Sequence, residues 1–302
     1  MSSLKKAQIS IGLPVFNGEK FINQCIDSLL SQTFQEFELI ISDNASTDLT
    51  SDICKEYASK DKRIKYIRHQ KNNGSAWNLN FVLNEAKFEY FMWAAHDDLW
   101  ESTFIEKNIT VLEKNKNFVG SISEVEFYEM SKEHKAILID ITLGKAGKFQ
   151  YTHSILGTYE ERIDFLFKFG QPSCIYAIYR TDKLQKSVPK KPFANWDYAV
   201  IGAVLKFGEL YVIDEILMLR YGGRGYGKIS SISYIKNLQN QNVSIFKIIF
   251  YYVPFTIWCA KHFGPKIFMK RFGWVIRINY RIERHILLEA IELLRLKCKL
   301  KK

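Results

Sequence analysis

The first hundred residues alternate short, wholly apolar stretches with longer segments whose apolar residues recur every three or four positions. Residues 8–13 make a short buried-strand pattern ended by Pro14. Over 18–32, Phe21, Ile22, Cys25, Ile26, Leu29 and Leu30 fall on one face at helical spacing. Residues 37–42 predict a second strand. It runs into the turn-rich Asp43-Asn44-Ala45-Ser46-Thr47-Asp48, where Ser46 or Thr47 is expected to cap a helix reaching about residue 59. A third strand is predicted over 64–68. Asn72-Asn73-Gly74 then turns into a helix through about residue 86, and 90–95 reads as a fourth, fully buried strand.

Strands alternating with helices of this length predict a parallel, doubly wound sheet. Ligands of such sheets bind beyond the carboxyl ends of the strands. The polar clusters Asn17-Gly18-Glu19, Asp43, Asn73-Gly74 and His96-Asp97-Asp98 all fall at such ends. After Asp98 the pattern changes to a helix (103–114), a strand (118–128), a helix (158–169), a strand-like stretch (174–180), a helix (196–207) and a strand (210–213). Gly222-Gly223-Arg224-Gly225-Tyr226-Gly227 reads as a flexible loop. It lacks the terminal Gly-Lys-Ser/Thr of a nucleotide-binding P-loop.

Composition adds a location for charge. Hydrophobic residues make up 47% of the 302, enough for a sizeable core. The net charge is +11, and residues 235–302 carry 14 Lys/Arg against 3 Asp/Glu, so the whole excess sits there and the body before it is neutral. The expected organisation is a domain over 1–230 followed by a basic, apolar-rich helical extension over 231–302. Within the extension, residues 245–302 interleave aromatics such as Phe246, Tyr251 and Trp258 with Lys261, Lys266, Lys270 and Arg271. That mixture suits an anionic membrane surface, and equally a helical bundle covering the domain with its charges solvated. No nucleic-acid recognition motif accompanies the charge. The longest apolar stretch, 248–260, is interrupted by Pro254 and falls short of the roughly 20 residues a spanning helix needs. Cys25, Cys54, Cys174, Cys259 and Cys298 show no paired or metal-binding spacing, which favours a reducing compartment. With no apolar signal region in residues 1–7, the expected location is cytoplasmic or peripheral on the cytoplasmic membrane face.

Two adjacent carboxylates after a buried strand are costly unless something neutralises them. A divalent cation bridging to phosphate oxygens does so; a helix N-cap is the alternative reading of Asp97-Asp98.

Pro14-Val15-Phe16-Asn17-Gly18-Glu19, Ile40-Ile41-Ser42-Asp43-Asn44-Ala45-Ser46-Thr47-Asp48, Asn73-Gly74 and Trp93-Ala94-Ala95-His96-Asp97-Asp98-Leu99-Trp100 stand in an order and spacing that resemble the family 2 glycosyltransferases. The resemblance is close over about the first 115 residues. It implies a GT-A fold, an α/β Rossmann-like mixed sheet with a donor half over about 1–115 and an acceptor half over about 116–230. It also implies inverting transfer from a nucleotide-diphosphate sugar, UDP-linked by preference, with Mn²⁺ or Mg²⁺. The acceptor expected is a saccharide or lipid-linked saccharide, in cell-surface polysaccharide or glycoconjugate assembly.

Position by position, the resemblance implies that Pro14, Val15, Phe16, Asn17 and Glu19 border the nucleotide base and that Asp43 contacts base or ribose. Asn73, Gly74, Asn78 and Asp97 belong to the donor site, and Asp98 holds the metal. His96 stands where many members have Asp; it bonds a carboxylate or ligand, or packs. Trp77 precedes Asn78 where many members have Arg, so the diphosphate contact is sought in Arg220 or Arg224. Asp197, in Asn195-Trp196-Asp197 at a helix start, is the expected base, with Trp196 and Tyr176 as acceptor contacts. Two rivals stay open: a non-catalytic sugar-nucleotide-binding scaffold, and a Rossmann oxidoreductase, which would want G-x-G-x-x-G where this chain has Gly12-Leu-Pro-Val-Phe-Asn-Gly18.

Overall fold

A computed structural model describes residues 7–130, 136–138, 152–191, 193, 195–222, 253–270 and 273. Strand β1 (Ile9–Val15) is hydrogen-bonded in parallel to β2 (Phe37–Asp43) on one side and to β4 (Tyr90–Trp93) on the other, and β2 pairs in parallel with β3 (Ile64–Arg68). These strands read as continuous apolar runs because helices cover both faces of the sheet. The alternation along β2 shows it: Ser42 meets Asn78 on α3 (Ser75–Asn84), while the next residue, Asp43, lies on the side of Tyr66 and α2 (Thr50–Lys60). Gly12 is required where α3 presses on β1. A Cβ there would lie 2.6 Å from Val82 Cγ2 and 2.7 Å from Phe91 Cζ, both in buried side chains. Gly12→Ala is therefore expected to destabilise the fold by about 1–3 kcal/mol, read as a lower urea midpoint with an unchanged slope.

The second half extends the sheet and makes it mixed. Helix α1 (Ile22–Leu30) lies in the first half; β5 (Leu99–Trp100), α4 (Phe104–Lys114), β6 (Phe118–Met130) and β7 (Ala136–Leu138) follow β4. Next come α5 (Tyr159–Phe169), a 3₁₀ turn (Pro172–Tyr176), β8 (Ile178–Arg180), α6 (Thr181–Ser187), α7 (Trp196–Val204) and β9 (Glu209–Tyr221). The strand order is β3-β2-β1-β4-β8-β6-β9-β5, with β7 on β6. β8 is antiparallel to both β4 and β6, and β9 is parallel to β6. The carboxyl ends of β1 to β4, β6 and β9 thus share one edge of the sheet.

Several expectations need correcting. Neither Ser46 nor Thr47 caps α2: the Ser46 hydroxyl accepts from the Asn17 amide instead, and Asp48 Oδ1 takes the Thr50 amide at 3.1 Å. Residues 174–180 are not one strand, because the 3₁₀ turn that starts at Pro172 occupies the chain to Tyr176. Strand β9 is much longer than 210–213. Asp214 and Glu215 are extruded as an exposed bulge opposite Ser123 and Glu124, and pairing resumes at Ile216. By contrast α5 starts with a full capping box between Thr158 and Glu161.

Of the C-terminal extension, helix α8 (Val253–His262) and the residues to 270 are described. Phe255, Trp258, Cys259, Phe263 and Ile267 are buried against Ile163 and Phe167 of α5 and Ala199 of α7. Lys270 pairs with Glu160 at 2.9 Å and Asp164 at 3.3 Å. This part of the extension packs on the body of the fold; most of residues 245–302 lie outside the described residues. No helix among the described residues is long and apolar enough to cross a membrane. Cys25, Cys54, Cys174 and Cys259 are free and buried.

Candidate active site

The shared edge carries the polar clusters. The loop after β1 is laced to the loop after β2: the Asn17 amide donates to Ser46 Oγ (2.9 Å), the Thr47 amide to Asn17 Oδ1 (2.8 Å) and the Gly18 amide to Thr50 Oγ1 (2.8 Å). Glu19 closes the lacing, accepting from the Leu49 amide while its own amide donates to Asp48. Asn17 and Ala45 take left-handed backbone conformations (φ 53° and 62°) to make these turns. Pro14 and Val15 end the strand, and Phe16 is left exposed at the rim.

Asp43 is fully buried. Its Oδ1 accepts from the Ser46 amide (2.8 Å), its Oδ2 from the Tyr66 hydroxyl (2.8 Å), and Arg68 Nε lies 3.5 Å away. Its carboxylate therefore holds the turn. Asn78 is likewise bonded within the fold. Its amide accepts from Ser42 Oγ and donates to the Ser42 carbonyl, so both ends are spent fastening α3 to β2. Asn78→Ala is expected to cost about 1–3 kcal/mol of stability by stranding buried partners, measured by chemical denaturation. Asn73 and Gly74 sit at the entrance to α3, with the Asn73 amide bonded to Asn44 Oδ1 and Gly74 at φ 92°. Trp77 stacks on Phe81 (centroids 5.2 Å) with His69 edge-on at 4.8 Å.

The turn after β4 is tight: the Asp98 amide donates to the Ala95 carbonyl, with His96 and Asp97 between. A Cβ on Gly18 would stand 2.8 Å from His96 Cδ2, so the imidazole packs directly on the loop after β1. The Tyr128 hydroxyl holds the Asp97 carbonyl at 2.7 Å. Asp98 is buried, and the amide of Tyr221, at the end of β9, donates to its Oδ1 at 3.0 Å. Its Oδ2 has no hydrogen-bond partner among the described residues; Arg220 Nε approaches it at 3.6 Å, an ion pair too long for a hydrogen bond. Burial pushes the Asp98 carboxyl up to about 7, against the pull of Arg220 and with a further push from Asp97.

Arg220 extends across the site. Its Nη1 donates to Ser173 Oγ (3.1 Å) and its guanidinium lies over the Tyr176 ring at 4.8 Å. Asp197 is in the first turn of α7, after Asn195 in a left-handed conformation (φ 55°). Burial raises its carboxyl above the ordinary range, while the first-turn amides and Arg220 pull it back. The charge of Arg220 thus pulls down both carboxyls, and it lies within 3.6 Å of Asp98. Trp196 is buried edge-on against Trp93 (5.7 Å), and its indole N–H has no hydrogen-bond partner among the described residues. Arg224 lies outside the described residues.

The family model described as Glycosyl transferase family 2 matches residues 10–187, more than half of the chain. The chain belongs to glycosyltransferase family 2. A glycosyltransferase of Streptococcus pneumoniae, GlyA, is 23% identical over 92% of this chain and 36% of its own length. A Rickettsia typhi glycosyltransferase is 38% identical over 36% of this chain and 33% of its own length. The chain thus spans about a third of these curated relatives. Among solved structures, S. aureus TarS with UDP-GlcNAc superposes with a TM-score of 0.58 at 18% identity, covering 84% of this chain and 66% of that one. The mannosyltransferase PcManGT of Pyrobaculum calidifontis with GDP-Man and Mn²⁺ gives 0.54 at 13%, covering 96% and 88%. These likenesses establish the GT-A-like fold.

A divalent metal fits the family 2 site in one respect that the coordinates test directly. Asp98 offers a buried oxygen without a hydrogen bond, already facing a cation. Among the described residues no three His, Cys, Asp or Glu side chains gather as a closed cage. Mg²⁺ and Mn²⁺ can be held by one or two carboxylates, with water and substrate phosphates completing the shell.

Proposed function

We propose that this chain is an inverting glycosyltransferase that moves a sugar from a nucleotide-diphosphate sugar, UDP-linked in the first instance, to a saccharide or lipid-linked saccharide. The observation that carries the reading is the buried, unbonded Oδ2 of Asp98 at the carboxyl edge of the sheet, with Asp197 answering to the same guanidinium. The ligands of the similar structures, UDP-GlcNAc and GDP-Man with Mn²⁺, support a sugar nucleotide at this edge.

Asp98 holds the metal, and Asp97 borders the donor sugar or ribose. A bound Mn²⁺ or Mg²⁺ supplies charge to offset that developing on the diphosphate leaving group. The laced loops 14–19 and 43–50 wall the nucleoside, and Asp43 acts by fixing that wall. Asp197 takes the proton of the acceptor hydroxyl as its oxygen attacks the anomeric carbon from the face opposite the leaving group. Arg220 places positive charge beside Asp98, and that charge also acts on Asp197. The basic final stretch brings the enzyme to an anionic membrane surface, where a lipid-linked acceptor would be presented.

A thermal-shift panel of nucleotide sugars with and without Mn²⁺ tests the reading, because a ligand raises stability with the logarithm of its concentration over Kd. At least one nucleoside-diphosphate sugar is expected to raise Tm only with metal. A flat response across UDP-, GDP- and dTDP-sugars would overturn it.

A further inference from the structure

Arg220 and Asp98 form an ion pair that is incomplete. Both side chains are largely withdrawn from water, at 16% and 4% exposure. A pair taken out of water repays its desolvation only when hydrogen bonds satisfy its oxygens and protons. Here Asp98 Oδ1 is satisfied by the Tyr221 amide, but Oδ2 receives only the charge of Arg220 at 3.6 Å.

The guanidinium is meanwhile anchored independently of Asp98. Ser173 Oγ accepts from Nη1, the Tyr176 ring lies under it, and the Phe127 ring stands 5.7 Å away. Phe127 is its register partner in the parallel pairing of β6 with β9, so the backbone of Arg220 is fixed by the sheet. The oxygen is therefore charge-compensated without being bonded, and the compensating group has other contacts to keep it in place.

We propose that Arg220 is the resident counter-cation of Asp98: it compensates the carboxylate in the metal-free chain and hands it over when metal and nucleoside diphosphate arrive. Two cations against one buried carboxylate oppose each other, so metal without diphosphate binds weakly. The diphosphate relieves the conflict by giving the released guanidinium an anionic partner at short range. Arg220 thus makes metal and nucleotide binding mutually dependent, a positive coupling that is reciprocal by linkage. The same guanidinium bears on Asp197, so the handover also changes the field at the base. The inference rests on the metal-dependent reading above.

The test is Mn²⁺ binding, followed by paramagnetic resonance of the free ion, to the full chain and to Arg220→Met and Arg220→Lys, each with and without UDP. The wild-type chain is expected to bind Mn²⁺ weakly alone and about tenfold or more tightly with UDP. Arg220→Met is expected to bind Mn²⁺ alone about tenfold more tightly than wild type and to lose most of the UDP enhancement. Its metal-free Tm should fall, and Mn²⁺ should restore more of it than Mn²⁺ adds to wild type. Arg220→Lys keeps a charge but not the fork that reaches Ser173 and Asp98 together; it should fall between the two, and it carries the test if Arg220→Met does not fold. Should wild type bind Mn²⁺ with UDP while both variants match it in metal alone, the counter-cation role is wrong and the enzyme reading stands. Should wild type take up no Mn²⁺ even with UDP, the metal-dependent reading fails and this inference fails with it.

Discussion

Asp98→Asn is expected to lower metal-dependent kcat/KM by on the order of 10³-fold, the scale seen when a single electrostatic stabiliser of a developing anion is removed. The substitution keeps the shape and the acceptor oxygen that receives the Tyr221 amide, so β9 stays docked. What it removes is the charge on the oxygen that has no hydrogen bond. It also has a signature in metal-free stability. The Asp98 carboxyl stands at about 7 in the folded chain against an ordinary value of 3.8. The folded state therefore holds this proton more tightly than the unfolded state. Asp98 thus makes wild-type stability fall as pH rises from about 4 to 7, with the loss complete above about 7. Asp98→Asn should lose that contribution, and urea midpoints at pH 5 and pH 8 should differ less in the variant than in wild type.

Asp197→Asn carries the second large effect. A positioned general base contributes about 10²–10⁴-fold, and the loss should appear in kcat with donor KM little changed, since Asp197 is proposed to act on the acceptor. Its carboxyl is raised by burial, and only the ionised form accepts a proton. Activity should therefore rise with pH through an acidic limb placed above the ordinary carboxylate range. In Asp197→Asn the residual rate should lose that limb. An unshifted limb in the variant would assign the titration to another group.

The parallel half of the sheet was legible because its strands are buried on both faces and its helices on one, so apolar runs and helical periodicity separate cleanly. The edge that carries the polar clusters followed from the same pattern. What local sequence could not show were side chains spent on one another. The family resemblance implies ligand contacts for Asp43 and Asn78; only the fold reveals their bonds to Tyr66, Ser46 and Ser42. Trp196 reads as an acceptor contact, and only the fold reveals its edge-on packing against Trp93. The long β9 was hidden by Asp214 and Glu215, two charges that break the apolar run yet leave the pairing intact on either side.

The link between the halves was the least legible. Asp98 and Tyr221 are 123 positions apart, and their hydrogen bond depends on the parallel pairing of β6 and β9. Arg220 was singled out for its place beside the glycine-rich loop and for the missing Arg at Trp77. Its engagement with Asp98 comes from sheet topology, which no motif encodes. Glu160, Asp164 and Lys270 show the same limit in the extension: each reads as a solvated charge until α5 and the segment after α8 are placed together.

The most direct measurement is calorimetric titration of UDP and of UDP-sugars into the wild-type chain and into Asp98→Asn, each with Mn²⁺ and with chelator. Wild type should bind at least one of them with Mn²⁺ and lose that affinity at least tenfold on chelation, while Asp98→Asn should bind equally weakly in both conditions. Nucleotide binding that is tight, indifferent to metal and unchanged by Asp98→Asn would contradict the account.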